Sequence, residues 1–134
     1  AFLIIAHLNI LGKTKEFSDF VLIPVPLYKK RLKQRGFNQA EEIAKEISKA
    51  LGLPLFNDVL IKIKQTPAQV EVKKEEREKN IKGAFFCQKP ELVQDKKILL
   101  VDDVFTTGAT LEEGSRVLKN AAAKEVWGMV VARG

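Results

Sequence analysis

The stretch that decides the fold is KILLVDDVFTTGAT, residues 97–110. Its apolar run over residues 98–101 is typical of a strand that is buried on both faces of a parallel sheet. The run ends in two adjacent carboxylates, Asp102 and Asp103, and a turn rich in threonine surrounds Gly108. Because a buried strand has no structural need for paired acids, this ending indicates a binding site at the carboxyl edge of a sheet.

The remainder of the chain alternates between strand patterns and helix patterns. Strands are predicted for residues 20–25, 58–63, 84–87, 97–102 and 126–132, and helices for residues 2–11, 38–52 and 110–122. In the second helix the apolar side chains fall on one face. Asn38 begins this helix and Thr110 begins the third, each with a glutamate three residues later, as in a capping box. The alternation predicts an α/β fold with a mostly parallel, twisted sheet flanked by helices.

Two charged segments are predicted to be irregular. We interpret residues 28–39 as a basic loop, because five of seven consecutive positions are positive: Lys29, Lys30, Arg31, Lys33 and Arg35. Residues 64–82 have no apolar period, and we interpret them as a long mobile loop. Long loops in compact domains are often functional, so this one is a candidate cover for the site.

Length and composition limit the class of protein. The chain has 134 residues, of which 46% are hydrophobic and 30% charged, as expected of a single globular domain over residues 1–134. The net charge of +6 favours an anionic partner. The single cysteine excludes an internal disulfide framework and indicates the reducing cytoplasm. No apolar run approaches the ~18 residues of a membrane span.

The end of the decisive strand carries the groups that a sugar phosphate requires. Carboxylates accept hydrogen bonds from sugar hydroxyls or hold a hard cation such as Mg²⁺. In the turn that follows, Gly108 permits close approach of a ligand, and free N–H groups at a helix start form an anion site. Carboxylates that can bind a sugar diol therefore lie next to an anion site that can bind a phosphate. This combination predicts a pocket for ribose 5-phosphate.

Two other motifs share an apolar strand that ends in acids. A response-regulator receiver domain needs a phosphorylated aspartate and a lysine on later strands, and the chain ends too early for them, 31 residues after Asp103. A Walker B strand needs an upstream G-x-x-x-x-G-K-[ST] loop. His7 stands where the first glycine of that loop belongs, so the GKT at residues 12–14 is interpreted as a turn.

The string VDDVFTTGAT resembles the phosphoribosyl-pyrophosphate (PRPP) motif of type I phosphoribosyltransferases. The string IPVPLYKKRLKQRGFNQA, residues 23–40, is similar to the late-competence ComF family of amidophosphoribosyltransferase-like proteins. That family's Thr-x-x-Gln, Arg-x-x-Asn and Gly-Ala-Phe patterns recur at Thr66 and Gln69, Arg77 and Asn80, and residues 83–85. The resemblance spans residues 20–133 and implies a type I phosphoribosyltransferase-like fold with a reduced or absent hood.

The sequence departs from the family pattern in two places. Basic positions before Thr66 that are commonly arginine are Lys62 and Lys64 here, and lysine lacks the planar fork for two-pronged phosphate contacts. Family members usually carry a cysteine-rich, zinc-binding N-terminal segment. With one cysteine in 134 residues, we expect this chain to be a fragment without that segment and without a zinc site.

The resemblance implies a role for each part of the site. The candidate catalytic residues are Asp102, Asp103, Arg31, Arg35, Lys64 and Arg77. The two aspartates would hold the ribose hydroxyls, directly or through Mg²⁺, and the two arginines of residues 28–39 would face pyrophosphate. The 5-phosphate would be held by Thr106, Thr107, Gly108, Ala109 and Thr110. Further contacts are expected from Thr66, Gln69, Asn80, Asn38 and Gln39.

Three functions are compatible with this sequence. The first is a PRPP-dependent transferase of the glycosyltransferase class, acting in nucleoside metabolism on an acceptor that the sequence does not name. The second is a non-catalytic sensor of PRPP or a nucleotide, because the motif explains binding without turnover. The third, implied by the family name, is an accessory protein that contacts nucleic acid in DNA transformation. Expected partners are PRPP or a nucleotide monophosphate, DNA or the DNA-uptake machinery, and a second copy in a homodimer.

Overall fold

The structure, a computed structural model, describes residues 2–6, 17–64, 74–103 and 108–132. These ranges contain six strands and four helices. In chain order they are β1 (Phe2–Ala6), β2 (Phe20–Pro24), α1 (Lys29–Arg35), α2 (Gln39–Leu51), β3 (Leu60–Lys62), α3 (Lys74–Ile81), β4 (Phe85–Cys87), β5 (Lys97–Asp102), α4 (Ala109–Asn120) and β6 (Glu125–Ala132). A short 3₁₀ turn, Pro90–Leu92, precedes β5.

Four of the strands form a parallel sheet in the order β1-β6-β5-β2. The remaining two, β3 and β4, form a separate antiparallel ladder in which Lys62 pairs with Phe85. The predicted strands at residues 20–25, 58–63, 84–87, 97–102 and 126–132 are thus confirmed, with small shifts at their ends. The predicted α/β fold with a mostly parallel sheet flanked by helices is also confirmed.

The outer side of β2 explains how a strand of the sheet tolerates a proline. There the N–H of Leu22 donates to the carbonyl of Pro54 at 2.8 Å. Because N–H groups alternate sides along a strand, Pro24 lacks a donor on that same outer side. On the inner side the N–H of Val25 still donates to the carbonyl of Val101 at 2.8 Å. The pairing of β2 with β5 is therefore intact up to the edge where the site is expected.

Side-chain alternation along the sheet divides the apolar residues into two cores, one on each face. On one face, strand residues pack with Leu111 and Leu118 of α4; these are Val21, Ile23, Ile98, Leu100, Val126 and Val130. On the other face, strand residues pack with Ile43 and Ile47 of α2; these are Phe20, Leu22, Leu99, Val101 and Met129. The two helices therefore hold the sheet from opposite sides.

The predicted start of α2 is confirmed in part. Oδ1 of Asn38 accepts the N–H of Ala40 at 3.1 Å, and Gly52 ends the helix with φ +67°. The carboxylate of Glu41, however, accepts a hydrogen bond from Nδ2 of Asn57 at 2.9 Å. Asn38 is therefore the N-cap, while the second half of the predicted capping box is replaced by a tertiary contact.

The prediction that Thr110 caps α4 is wrong. The N-cap is Gly108, with φ +82°, and Thr110 lies within the first turn of the helix. The carboxylate of Glu113 accepts the N–H of Gly83 at 2.9 Å and two hydrogen bonds from Arg116. The side chain of Glu113 thus binds Gly83, 30 residues away in the sequence, instead of capping its own helix.

We expect Glu113→Gln to destabilise the fold by about 1 kcal/mol at neutral pH, because the variant loses the ion pair with the half-exposed Arg116. Hydrogen bonds from Arg116 hold the pKa of Glu113 below its ordinary value of 4.5, against the effect of burial. A lowered carboxylate pKa stabilises the fold above the unfolded-state pKa and loses this effect as the pH falls. Urea unfolding at pH 7 and at about pH 3 measures this. The prediction would be contradicted if the free energies of unfolding of the two proteins differed by the same amount at both pH values.

The prediction of a helix over residues 2–11 is wrong for the part that the structure describes. Residues 2–6 form β1, which pairs in parallel with β6 so that Ile4 lies opposite Val130. An unbroken apolar run has no helical or strand period of its own. Here a free sheet edge beside β6 and the branched side chains of Ile4 and Ile5 favour the strand.

The two segments predicted to be irregular both contain helices. Residues 29–35 of the predicted basic loop form α1, which ends at Gly36 with φ +84°. The second half of residues 64–82 forms α3, while residues 65–73 lie outside the described residues. Lysine, arginine, glutamate and glutamine favour helices without any apolar period. The loop interpretation is therefore corrected for these helices, and mobility of residues 64–82 stays a prediction.

Candidate functional site

The carboxyl ends of β2 and β5 lie side by side, and the chain leaves them in opposite directions. From β2 it passes through α2 on one face to Leu55, which pairs with the outer side of β2. From β5 it passes through α4 on the other face to β6. Neighbouring strands whose connections diverge leave a crevice between them, and α/β proteins bind ligands there. The crevice between β2 and β5 is therefore the candidate site.

Two helices begin at this crevice. α4 starts at Gly108, a few residues after β5, and Gly108 has the left-handed φ of +82° that suits a tight turn. α2 starts at Asn38, whose Nδ2 donates to the carbonyl of Val25 at 3.0 Å, just beyond β2. Helix N-termini present free N–H groups and favour anions. The structure thus gives Asn38 a structural role, and contact of Asn38 with a ligand stays a prediction.

Asp102 and Asp103 are half buried at the end of β5. Oδ1 of Asp102 accepts the N–H of Asp103 at 2.8 Å, which orients that carboxylate. Among the described residues no group of three or more acidic, histidine or cysteine side chains is placed to hold a metal ion. Mg²⁺ is commonly held by one or two carboxylates, with the remaining oxygens supplied by phosphates and water. The chemistry of the two carboxylates therefore fits Mg²⁺, and binding of the ion stays a prediction.

The structure adds Lys62 to the candidate site. The sequence marks this residue only as a lysine where the family commonly has arginine, and it is not among the predicted site residues. It lies half buried on β3, and its Nζ is 5.9 Å from the centre of the Phe85 ring. Burial lowers the pKa of Lys62, the charge of Arg31 lowers it further, and the carboxylate of Asp102 acts in the opposite direction. Charged groups from β3, α1 and β5 are therefore close enough to act on one another at the crevice. The signal in the sequence was the family's basic position before Thr66, which here is a lysine within the apolar pattern VLIKI.

The basic helix α1 contributes one residue to this charge cluster. Arg31 is half buried, and Tyr28, just before the helix, pairs with Lys62 as an isolated parallel bridge. Arg35 lies one turn later on the same face and is exposed. The structure thus brings Arg31 together with Asp102 and Lys62, and it places Arg35 further along the helix.

The other predicted site residues lie around this cluster or outside the described part of the chain. In the first turn of α4, Ala109 is buried and Thr110 is half buried. Lys64 is exposed, two residues after β3, and Gln39 is the first residue of α2. Arg77 and Asn80 lie on α3, which packs against α4. The predicted contacts Thr66, Gln69, Thr106 and Thr107 lie outside the described residues.

Residues 34–134 match the model of the phosphoribosyl transferase domain, and the chain therefore belongs to this family. Its relatives are of the ComF type, as the sequence predicted. It is 38% identical over 115 residues to Competence protein F of Haemophilus influenzae, covering 83% of this chain and 50% of that protein. It is 37% identical over 99 residues to Competence protein ComFC of Bacillus subtilis, covering 74% of this chain and 38% of that protein.

A third relative carries a different name. The chain is 33% identical over 108 residues to the DNA utilization protein YhgH of Escherichia coli, covering 79% of this chain and 47% of that protein. The chain thus spans about half the length, or less, of the curated relatives it matches. Within the described ranges, no helix has the length and apolar character needed to cross a membrane.

Proposed function

We propose that this domain binds PRPP in the crevice between β2 and β5 and transfers its phosphoribosyl group to an acceptor with release of pyrophosphate. The observation that carries this proposal is the grouping of Asp102 with Lys62 and Arg31, close to the glycine turn that starts α4. PRPP has the complementary arrangement, since its diol lies between a 5-phosphate and a pyrophosphate. Carboxylates suit the diol, cations suit the pyrophosphate, and a helix start suits the 5-phosphate.

The proposed reaction breaks the bond between C1 of ribose and the pyrophosphate oxygen. The lone pair of the acceptor forms the new bond to C1, and the proton of the acceptor leaves to solvent. Positive charge builds on the ribose ring, where Asp102 and Asp103 hold the hydroxyls. Negative charge builds on the leaving group, where Lys62 and Arg31 stabilise it. Mg²⁺, held by the two aspartates and the substrate, would supply additional charge for pyrophosphate.

Titration calorimetry with PRPP, with and without Mg²⁺, tests the binding step. We expect saturable binding that strengthens with Mg²⁺, and absence of binding by the unsubstituted protein would contradict the proposal. Release of pyrophosphate in the presence of nucleobases and amines then tests transfer. Binding without release for any acceptor would assign the domain as a PRPP sensor instead.

A second candidate function, contact with nucleic acid, is favoured by α1. This helix buries no residue and has no acid in its first turn. Three of its lysines are exposed: Lys29, Lys30 and Lys33. Positive charges at the start of a helix oppose its dipole, so helix stability does not explain Lys29 and Lys30. A basic exposed surface suits a phosphate backbone, and the relatives are named for competence and DNA utilization.

Replacing Lys29, Lys30 and Lys33 together with alanine tests this second function. We expect DNA binding to weaken and its salt dependence to fall by about 2 units of slope for single strands, since three phosphate contacts are lost. PRPP binding should be unchanged, because the charge cluster at the crevice is left intact. The control variant neutralises three other exposed lysines, Lys49, Lys96 and Lys124. Equal DNA binding by the two triple variants would exclude α1 as the contact surface.

Gly108→Ala is expected to weaken PRPP binding by about tenfold and to lower the free energy of unfolding by about 1–2 kcal/mol. At φ +82° an alanine is strained, and relief of that strain moves the turn that would hold the 5-phosphate. The matched control is Gly52→Ala, which introduces similar strain at φ +67° after α2, with open space around the added Cβ. Thermal unfolding and calorimetry check both variants. Equal PRPP affinity in both would contradict a role for the Gly108 turn.

A further inference from the structure

We infer that Glu113 is a positioning residue of the site, which fixes α3 in place against the first turns of α4. In this role it touches no substrate. It sets the position of α3 relative to the start of α4 through its hydrogen bond to the N–H of Gly83. The inference rests on the proposed function, because it concerns the geometry of the same PRPP pocket.

The burial of Glu113 is the first support for this role. Its exposed fraction is 7%, and among the side chains that the structure describes it is the only charged one that is buried. Both carboxylate oxygens are engaged: Oε2 accepts the N–H of Gly83 at 2.9 Å and Nη2 of Arg116 at 2.6 Å, and Oε1 accepts Nε of Arg116 at 2.8 Å. The bond to Gly83 joins positions 30 residues apart in the chain.

The second support is the part of the chain that Glu113 holds. Gly83 follows α3 with φ +75°, and Ile81, at the end of α3, is only 3% exposed. The carbonyl of Ala84 accepts the N–H of Ile63 at 2.7 Å. The two ends of residues 64–83 are therefore held side by side next to Lys62. Glu113 fixes the returning end, which carries Arg77 and Asn80 on α3.

The third support is the position of Glu113 along α4. Ala109 and Glu113 are four residues apart, so they share one face of the helix, and both are buried. One helical turn thus separates the contact with Gly83 from the proposed phosphate turn at Gly108. A shift of Gly83 relative to α4 would move Arg77 and Asn80 relative to that turn.

The chemistry of the contact indicates positioning more than stability. The ion pair with Arg116 contributes little stability, because Arg116 is half exposed and water screens the pair. An apolar side chain beside Ile81 would avoid the cost of burying the Glu113 carboxylate. A hydrogen bond to one backbone N–H, in contrast, is satisfied at only one placement of α3, since its distance and angle are restricted.

Four variants test the inference with PRPP in the presence of Mg²⁺. Glu113→Ala removes the acceptor for Gly83, whereas Glu113→Gln keeps an acceptor and loses only the charge. Arg116→Ala removes the ion pair alone. Val117→Ala, on the same helix and partly buried, is a control for general destabilisation. We expect Glu113→Ala to weaken PRPP binding by about tenfold, and the other three variants to stay within about twofold of the unsubstituted protein.

Hydrogen exchange of the Gly83 and α3 amides gives a readout that does not depend on PRPP. We expect faster exchange there in Glu113→Ala and slow exchange in Glu113→Gln and Val117→Ala. Glu113 has no positioning role if the amides of Gly83 and α3 exchange at the same rate in Glu113→Ala and in Val117→Ala. The same conclusion follows if the two variants have equal melting temperatures and bind PRPP with equal affinity. Failure of the unsubstituted protein to bind PRPP, with the exchange difference present, would overturn the proposed function alone.

Discussion

Asp102→Asn is expected to lower PRPP affinity by about 100-fold, because a hydrogen bond to a charged acceptor and the attraction of a carboxylate for a metal-bound diol are lost together. Asparagine has nearly the same shape as aspartate. Its Oδ1 can still accept a hydrogen bond from the N–H of Asp103, which lies 2.8 Å from Oδ1 of Asp102 in the unsubstituted protein. The melting temperature should therefore change little. The loss of charge would also leave Lys62 and Arg31 with less compensation at the crevice.

The control for this prediction is Asp95→Asn. Asp95 is exposed and precedes β5, at the end of the strand opposite the site, and asparagine tolerates its φ of +61°. Titration calorimetry of both variants with PRPP and Mg²⁺ measures the difference. Equal affinities for the Asp102 and Asp95 variants would show that the carboxylate at the end of β5 does not contact the substrate.

Lys62→Met is the substitution with the second largest expected effect, a loss of about 30-fold in PRPP affinity. Burial and the nearby Arg31 make the charged form of Lys62 less favourable in the free protein and so lower its pKa, against the effect of Asp102. A bound pyrophosphate would relieve that cost, so the charge contributes more to binding than an exposed lysine would. For the same reason the Met variant should not be less stable than the parent, because the fold no longer carries that charge.

The pH dependence of PRPP binding gives an independent check on Lys62. A pyrophosphate binds the protonated lysine, so affinity should fall as the pH rises through the lowered pKa of Lys62. In Lys62→Arg the PRPP affinity should stay constant over this pH range, because a guanidinium stays protonated. Lys96→Met, at an exposed position, serves as the charge control. If Lys62→Met binds PRPP as tightly as Lys96→Met, Lys62 lies outside the site.

The parts of the fold that the sequence predicted well are those with a buried apolar pattern. β5 has the predicted bounds of residues 97–102, since its four central residues are buried on both faces. α2 was predicted from its apolar face, and Ile43, Ala44 and Ile47 of that face are buried. These patterns are local and directly reflect burial, so they can be recognised without a partner.

The helices that sequence reasoning missed bury little. α1 buries no residue, and of the described side chains of α3 only Ile81 is buried. Without an apolar face, their charged sequences resemble those of loops. The prediction for β1 was wrong for the opposite reason. Every residue of β1 is apolar, so the pattern fits a helix or a strand, and the strand forms because the edge of β6 is free to pair with it.

By itself, the sequence determined the family and the order of most elements, and it predicted the two halves of the proposed ribose phosphate site, Asp102 with Asp103 and the turn around Gly108. These are short motifs whose chemistry lies in neighbouring residues. Only the tertiary structure decided that Lys62 joins Arg31 and Asp102, and that Glu113 bonds to Gly83 instead of capping its own helix. These contacts join residues about 30 or more positions apart. They depend on how α1, α3 and β3 pack beside the sheet, and no local pattern encodes that packing.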